Sequence, residues 1–507
     1  MLGRRSYRRR ILYAFTVSLS LLFLINGLAL EFGFFPDAQA WAAEEEHGAG
    51  HSDPFSFILF ELAAVVAIAT LGRYIAEKLN QPSVLGELLF GVALGNLGYW
   101  LQIPMFSMIM HLDSLHPIFQ QVWESGLAVS DAINRVFTPQ ELASGGAGER
   151  IGQLLAGDSA PRLVGMSFAL WIFSNLGVIL LLFMVGLESR VDEMLQVGPR
   201  ALSVAVIGVV APFLLGLAST YWLLPEAEMP AHLFLAAILC ATSVGITARV
   251  FKDLGKLAIK EAKIILGAAV IDDVLGLVIL AVVSGIVVSG GIQFWEVLRI
   301  SLLSFVFLAI VIQYGERFVR LVVPLVTRVD RHHHKLLFPL TLAFALAWLA
   351  NQIQLATIVG AFAAGLILNE EHFEKCSNTS HTIEGLIAPL EAIFAPIFFV
   401  LMGMQVNLAT FAETETLVLA LAFTVAGLIG KFVSGLPAGG GVDRFSVGFG
   451  MIPRGEVGLI FASIGKGLGV VTDSIFSAVV IMVIVTTLIT PILLRWSLFR
   501  KPATAAA

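Results

Sequence analysis

Long apolar stretches, separated by polar or glycine- and proline-rich segments, follow one another through this sequence of 507 residues. Each is close to the roughly 20 apolar residues that a helix needs to cross the hydrocarbon of a bilayer. The pattern therefore predicts an all-α polytopic membrane protein with about 13 transmembrane helices. The predicted crossings are 55–76, 83–101, 163–187, 201–223, 231–250, 262–289, 296–314, 335–351, 352–369, 383–405, 413–436, 444–466 and 472–496.

The composition agrees with this class and excludes others. Hydrophobic residues make up 57% of the chain and charged residues only 13%, against roughly 25% charged residues in soluble domains. A soluble multidomain enzyme is therefore excluded. The formal net charge of -6 offers no basic surface to nucleic acid. The two cysteines, Cys240 and Cys376, cannot form a disulfide framework.

The first 40 residues have the layout of a secretory leader. Five arginines among the first ten residues precede an apolar run over 11–30, and the small-residue motif AQA follows at 38–40. We expect residues 1–40 to be a leader or an N-terminal targeting helix. A permanent extra helix is the alternative, because the apolar run is long for a leader.

The distribution of lysine and arginine predicts the orientation, because cytoplasmic loops retain positive charge. If residue 55 starts outside, the inner loops and tail hold nineteen of these residues and the outer segments hold five. We therefore expect the mature N-terminus outside and the C-terminus in the cytoplasm. The membrane would be a bacterial-type inner (plasma) membrane or an internal membrane.

Five segments follow from the order of the runs. After the leader we expect a first membrane repeat over 55–289, which includes an outer loop at 102–162. A linker helix at 296–314 then leads into a second membrane repeat over 335–496. A short cytoplasmic tail is expected at 497–507.

Glycine motifs indicate that the two halves are related. The second, third and fifth crossings match the ninth, tenth and twelfth, which aligns Gly86 with Gly360, Gly91 with Gly365, Gly186 with Gly403 and Gly245 with Gly458. The offset is seven crossings each time. Because an odd offset pairs each helix with one of opposite direction, the sequence predicts two inverted-topology repeats, as in secondary transporters.

Ionisable residues inside the apolar runs are the main functional signal, since a charge at the bilayer centre costs roughly 2.5 to 3.5 kcal/mol. Asp272 and Asp273 lie in the middle of the sixth crossing, and Lys431 lies well inside the eleventh. Neighbouring helical positions differ by about 100°, so one carboxylate can meet a partner helix while the other faces a cavity. A purely structural Asp272–Lys431 pair is the alternative, but it leaves Asp273 unexplained. For Glu61 and Glu87, packing or interface roles are favoured.

Two crossings contain residues that predict broken helices. The twelfth carries PRGEVG at 453–458, which includes Arg454 and Glu456, and the fifth has a weak point at Thr242 and Ser243. Broken helices at membrane depth line cavities, and their ends offer backbone carbonyls to a cation. We expect Arg454 and Glu456 to satisfy one another and the broken backbone rather than to contact the ion.

Adjacent carboxylates beside an ammonium group bind protons as a coupled set. A cation that binds there must displace protons, and this competition becomes antiport if the site opens to one side at a time. The chain would then be a secondary transporter without cofactors that exchanges Na+, or Li+ or K+, for H+. Two protons displaced by one cation would make the exchange electrogenic, and 100 mV would contribute roughly 2.3 kcal/mol.

Six stretches make the chain resemble the monovalent cation:proton antiporter-2 family, within the superfamily of bacterial sodium/proton antiporters, over residues 55–496. They are QPSVLGELLFGVALG (81–95), LLFMVGLE (181–188), ATSVGITARV (241–250), VIDDVLGL (270–277), LIGKFVSG (428–435) and PRGEVGLIFA (453–462).

The resemblance implies that Asp273 is the ion-binding carboxylate and that Asp272 pairs with Lys431. Members with two aspartates are generally taken as electrogenic sodium exchangers. The glutathione-gated potassium efflux branch instead has Gln before the aspartate and a nucleotide-binding tail, and this sequence has neither feature. The resemblance also implies homodimers, in which a core domain moves against a dimerisation domain, and a role in pH homeostasis.

The same residues suggest three alternatives to sodium/proton exchange. The carboxylate pair does not encode ion size, so a K+/H+ antiporter is possible. A cation channel would share the cavity and the charges without proton coupling. An intramembrane aspartyl protease needs two aspartates that converge on one water; Asp272 and Asp273 diverge, which argues against it.

Overall fold

The computed structural model describes most of the membrane part of the chain. The described residues are 54–79, 81–137, 142, 146–188, 198–243, 247, 250–251, 254, 256, 259–288, 294–330, 333–353, 355–374 and 382–500. The predicted leader at 1–40, the aligned Gly245 and the tail from residue 501 lie outside them. Within the described residues the secondary structure is helical, with no strand. Eight of these helices are long and apolar enough to cross a bilayer, which confirms the prediction of an all-α polytopic membrane protein.

The helices are named here in chain order. They are α1 (Pro54–Lys78), α2 (Ser83–Trp100), α3 (Pro104–Met110), α4 (Leu112–Ser125), α5 (Val129–Val136), α6 (Ala147–Ala156), α7 (Ala160–Glu188), α8 (Gly198–Leu223), α9 (Met229–Ile238), α10 (Lys260–Val288), α11 (Phe294–Val329), α12 (His334–Gln352), α13 (Thr357–Leu366), α14 (Glu371–Glu374), α15 (Ile383–Met404), α16 (Thr414–Val433), α17 (Arg444–Gly450), α18 (Glu456–Gly467) and α19 (Asp473–Arg500). Two short 3-10 helices cover Leu408–Ala412 and Leu436–Ala438.

Eight predicted crossings coincide with single long apolar helices: α1, α7, α8, α10, α12, α15, α16 and α19. The linker helix differs most from its prediction, because α11 continues to Val329 instead of ending near residue 314. Glu316 and Arg320 form an ion pair four residues apart just beyond the apolar run, and such pairs support helix. The crossing predicted over 352–369 contains only the 10 residues of α13.

The described chain packs into two compact units. Residues up to Asn175, together with Pro396–Val406, form the first unit, and Leu176–Ala395 with the residues from Asn407 onward form the second. Each unit therefore takes helices from both predicted repeats. Helices α7 and α15 each contribute one end to each unit.

In the first unit, α1 packs along α2. The two backbones touch at Gly72 and Gly86, where an added Cβ on either residue would overlap the other's carbonyl group. The segment predicted as an outer loop at 102–162 holds the four short helices α3 to α6 and the start of α7. Met108 and Ile151 are completely buried within this segment. The segment is therefore a folded part of the first unit.

A second close backbone contact in the first unit joins α2 to the end of α15. A Cβ on Gly91 would overlap the carbonyl oxygen of Val400, and a Cβ on Gly403 would overlap the carbonyl oxygen of Leu88. Only glycine permits this approach at either position, so the glycine motif of the second crossing meets that of the tenth here.

The second unit contains the same contact between α13 and the end of α7. A Cβ on Gly365 would overlap the carbonyl oxygen of Phe183, and a Cβ on Gly186 would overlap that of Phe362. In both units each overlapped carbonyl stands three residues before the partner glycine. Residues that the sequence repeat places in corresponding positions thus form the same contact twice.

Candidate functional site

Asp272 and Lys431 form a completely buried ion pair in the second unit. The Lys431 Nζ atom lies 2.8 Å from Oδ1 and 3.0 Å from Oδ2 of Asp272, and neither side chain is exposed. Asp272 is carried by α10 and Lys431 by α16. Gly208 of α8 lies against the pair, because an added Cβ would be 3.6 Å from both Asp272 Oδ1 and Lys431 Nζ. The ion pair is therefore enclosed by three helices.

Asp273 has a different environment from its neighbour. Asp272 is only 1% exposed, whereas Asp273 is half-buried. One turn further along α10, Gly276 approaches the ring of Phe461 in α18, at 3.9 Å from an added Cβ. The two carboxylates therefore share a helix but differ in burial.

Both predicted helix breaks are present and lie together. The fifth crossing leaves helical geometry after α9, and its residues 241–243 are irregular; the twelfth is irregular at 452–455, between α17 and α18. The Ser243 backbone N–H donates to the Pro453 carbonyl oxygen at 2.9 Å. The Thr247 hydroxyl donates to the Gly450 carbonyl oxygen at 2.6 Å. Backbone at the two breaks thus satisfies part of its own hydrogen bonding, as irregular backbone inside a membrane must.

Arg454 lies at this junction and is completely buried. Its Nη1 donates to the carbonyl oxygen of Ala241, and its own carbonyl oxygen accepts from the Thr487 hydroxyl at 2.7 Å. Among the described residues, its Nε and Nη2 have no hydrogen-bond partner. Arg454 also interacts electrostatically with Asp272. Arg454 therefore connects the two breaks and places a positive charge near the ion pair.

Thr242, Ser243 and Glu456 are the other residues that the sequence predicts at the two breaks. Thr242 is buried, and its hydroxyl has no hydrogen-bond partner within the described part of the chain. Ser243 is also buried, and its hydroxyl packs against Gly455, 2.7 Å from an added Cβ. The side chain of Glu456 lies outside the described atoms, so its predicted pairing with Arg454 stays a prediction.

Sequence reasoning missed two residues of this region. Gly208 gives the ion pair its close neighbour on α8, and Thr487 holds the Arg454 carbonyl from α19. A cluster of threonines in the apolar α19 was a visible signal for Thr487, because hydroxyls in such helices are common hydrogen bonders. Nothing about Gly208 distinguishes it from other glycines in the apolar runs.

The geometry brings Asp272, Lys431 and Arg454 to one buried region of the second unit, with the half-buried Asp273 next along α10. Carboxylate, hydroxyl and carbonyl oxygens are the groups that hold a small hard cation, and carboxylates also take up protons. Paired helix breaks at membrane depth are a feature of secondary transporters. The fold and site thus define an integral membrane transporter rather than an enzyme.

Comparison with known proteins identifies the family. The family model described as the transmembrane part of sodium/hydrogen exchangers matches residues 65–500. The chain therefore belongs to the sodium/hydrogen exchanger family of monovalent cation:proton antiporters. This result confirms the resemblance found in the sequence motifs and the interpretation as a multi-pass membrane protein.

Individual proteins are similar over most of their length. The high-affinity Na(+)/H(+) antiporter NhaS3 of Synechocystis sp. is 36% identical over 86% of this chain and 89% of its own. A Na(+)/H(+) antiporter of Enterococcus hirae is 30% identical over 86% of this chain and 96% of its own. The solved structure of the sodium proton antiporter MjNhaP1 from Methanocaldococcus jannaschii has a TM-score of 0.50 at 16% identity and covers 88% of this chain and 97% of its own. That structure shows a shared fold.

Proposed function

We propose that this protein exchanges Na+ for protons by competition at Asp272 and Asp273. The observation that carries the proposal is the completely buried Asp272–Lys431 ion pair beside two joined helix breaks. A buried ion pair is a weak contribution to stability, because desolvation offsets much of its Coulomb attraction. A role in exchange gives a reason for placing it there.

In the proposed cycle Asp273 receives the cation, and Lys431 responds through Asp272. The half-buried Asp273 has the better access of the two carboxylates. A cation on Asp273 adds positive charge beside Lys431, which weakens the hold of Asp272 on the ammonium and favours loss of its proton. Protons and cation therefore belong to one coupled set of groups, and Thr242 and Ser243 would support the cation from the break.

Sodium is proposed as the transported cation, with Li+ also accepted. The names of the Synechocystis and Enterococcus relatives, which are Na(+)/H(+) antiporters, support this choice. Two carboxylates support displacement of two protons per cation and hence electrogenic exchange. We further propose that the backbone hydrogen bond between Ser243 and Pro453 couples the two breaks. The breaks would then move together when the site stops opening to one side of the membrane and opens to the other.

We also propose the domain order, homodimer, membrane orientation and role in pH homeostasis that the sequence predicts. The orientation depends on the distribution of lysine and arginine. The homodimer and pH homeostasis depend on the family resemblance.

The test is proton movement in everted membrane vesicles, reported by a pH-sensitive dye while Na+, Li+ or K+ is added. We expect Na+ and Li+ to release protons from wild-type vesicles, and Asp273→Asn to abolish the response. Asp158→Asn is the matched control, because Asp158 is exposed and lies outside the second unit. A response to K+ alone would indicate a K+/H+ antiporter, and cation flux without proton movement would indicate a channel. Undiminished exchange in Asp273→Asn would remove Asp273 from the mechanism.

A further inference from the structure

Glu61 in α1 is a buried acid that the exchange site does not use. It belongs to the first unit, whereas Asp272 and Lys431 belong to the second. Its relative exposure is 4%. At 1.5 Å per residue it lies about 9 Å from the start of the apolar span at Phe55.

No group of the described chain compensates a charge on Glu61. Neither carboxyl oxygen has a hydrogen-bond partner among the described residues, and no charged side chain among them forms an ion pair with it. One turn earlier, Phe57 lies under the guanidinium of Arg162, 4.9 Å from the ring centroid. One turn later, Val65 is buried and apolar.

Glu87 of α2 provides a direct contrast within the same unit. It is buried to a similar degree, but Arg73 holds its Oε1 through Nη2 at 2.8 Å and Nε at 2.9 Å. A charge-assisted contact of this kind, with two guanidinium nitrogens on one carboxylate oxygen, stabilises the ionised form of the acid. The two glutamates differ in their partners rather than in their burial.

An ionised carboxylate without a partner is far more costly in an apolar environment than a neutral carboxylic acid, so the group neutralises instead. We propose that Glu61 holds a proton in the folded protein and is a modification site for hydrophobic carbodiimides, separate from the exchange site. This inference goes beyond the proposed exchange and does not depend on it.

The modification is an addition that the protonated acid makes possible. The Glu61 proton moves to one nitrogen of the carbodiimide, and the carboxylate oxygen forms a bond to the central carbon. Where water is excluded, the acyl carbon then leaves that oxygen and bonds to the adjacent nitrogen, which gives a stable N-acylurea. Nothing is released, and no oxidant or reductant is needed, so the residue gains the mass of one carbodiimide molecule.

The experiment uses the full chain reconstituted in liposomes and treated with dicyclohexylcarbodiimide, followed by peptide mass spectrometry. We expect the added mass on Glu61 and none on Glu87. Glu61→Gln should lose that label and keep cation/proton exchange. Arg73→Gln should create a label on Glu87, because it removes the partner that keeps Glu87 ionised. A water-soluble carbodiimide should leave Glu61 unlabelled.

An unlabelled Glu61 in the wild-type protein, or equal labelling of Glu61 and Glu87, would overturn the proposal. If Arg73→Gln does not fold, the labelling of Glu61 relative to Glu87 in the wild-type protein still tests the proposal. Excess Na+ should not reduce labelling of Glu61; protection by Na+ would make Glu61 a cation site and would also overturn the proposal. The readout is the mass added to Glu61 in α1, so the result does not depend on whether Asp273 takes part in exchange.

Discussion

Each of the two units buries a carboxylate against a basic side chain, yet the surroundings of the two pairs differ. In the first unit Arg73 is 36% exposed, and its partner Glu87 follows Gly86, where the backbones of α1 and α2 already touch. In the second unit Asp272 and Lys431 are both completely enclosed. They lie near Arg454, at a junction of two broken helices, and two nitrogens of that guanidinium have no hydrogen-bond partner in the described part of the chain.

This difference indicates separate roles for two similar contacts. The Arg73–Glu87 pair connects helices that glycine contacts already fix, so its contribution is to the scaffold. The Asp272–Lys431 pair lies near irregular backbone at the two breaks, and exchange is the role that we propose for it. Loss of function should therefore follow changes in the second unit, and changes at Glu87 should affect stability alone.

The largest expected effect is on transport. Asp273→Asn should eliminate cation-dependent proton movement, because the proposed ion ligand is lost, whereas Glu87→Gln should retain it. Dye fluorescence in everted vesicles, with protein levels matched by immunoblot, measures both. If Glu87→Gln stopped exchange in a well-folded protein, the distinction between the two pairs would fail.

Removal of Lys431 should give the largest loss of stability. Lys431→Met leaves Asp272 buried without its partner, and breaking a buried pair in this way costs about 3–5 kcal/mol. The double variant Asp272→Asn with Lys431→Met should recover most of that loss, since no uncompensated charge remains. Thermal unfolding of the purified protein in detergent measures the difference. Equal instability of the single and double variants would argue against a charge effect.

The repeated glycine contact should contribute to stability in both units. Gly186→Ala in the second unit and Gly403→Ala in the first should each destabilise by about 1–3 kcal/mol, because the added methyl group meets a backbone carbonyl. Gly165→Ala, in the same helix as Gly186, is the matched control, since nothing lies within 4 Å of its added Cβ. It should be stabilising by about 0.5–1 kcal/mol. Unfolding curves that rank Gly165→Ala with the others would contradict the contact.

The smallest effect is expected for Arg73→Gln. Its guanidinium is partly exposed, and the buried Glu87 can take up a proton once the guanidinium is gone, so the loss should cost only about 1 kcal/mol. Exchange in vesicles should be unchanged, and thermal unfolding should show a slightly lower midpoint. A loss of stability as large as that of Lys431→Met would mean that the two pairs are energetically equivalent.

The sequence predicted the long helices well because length and hydropathy suffice for them. It placed Asp272, Lys431 and the two breaks in the helices where the structure has them. The family resemblance implied that Asp272 pairs with Lys431. The end of α11 was missed, because the helix continues past the apolar run as an amphipathic segment, with Glu316 and Arg320 paired on its exposed side and Val319 and Val323 buried. Glycine alignment showed which positions correspond, but it did not show that α2 meets α15 and that α13 meets α7. Such contacts depend on three-dimensional packing, which one sequence does not contain.

The guanidinium of Arg454 has a consequence for the charge of the transported ion. Arginine keeps its proton in proteins, so this positive charge stays in the field of Asp272 whether or not Lys431 is engaged. With both aspartates ionised and both bases charged the group is neutral, and each additional positive charge raises its energy in a medium of low dielectric constant. A divalent ion adds twice the charge of a monovalent one, and the energy of the group rises more steeply than its charge. We therefore expect Mg2+ and Ca2+ to be poor competitors, even where they are abundant.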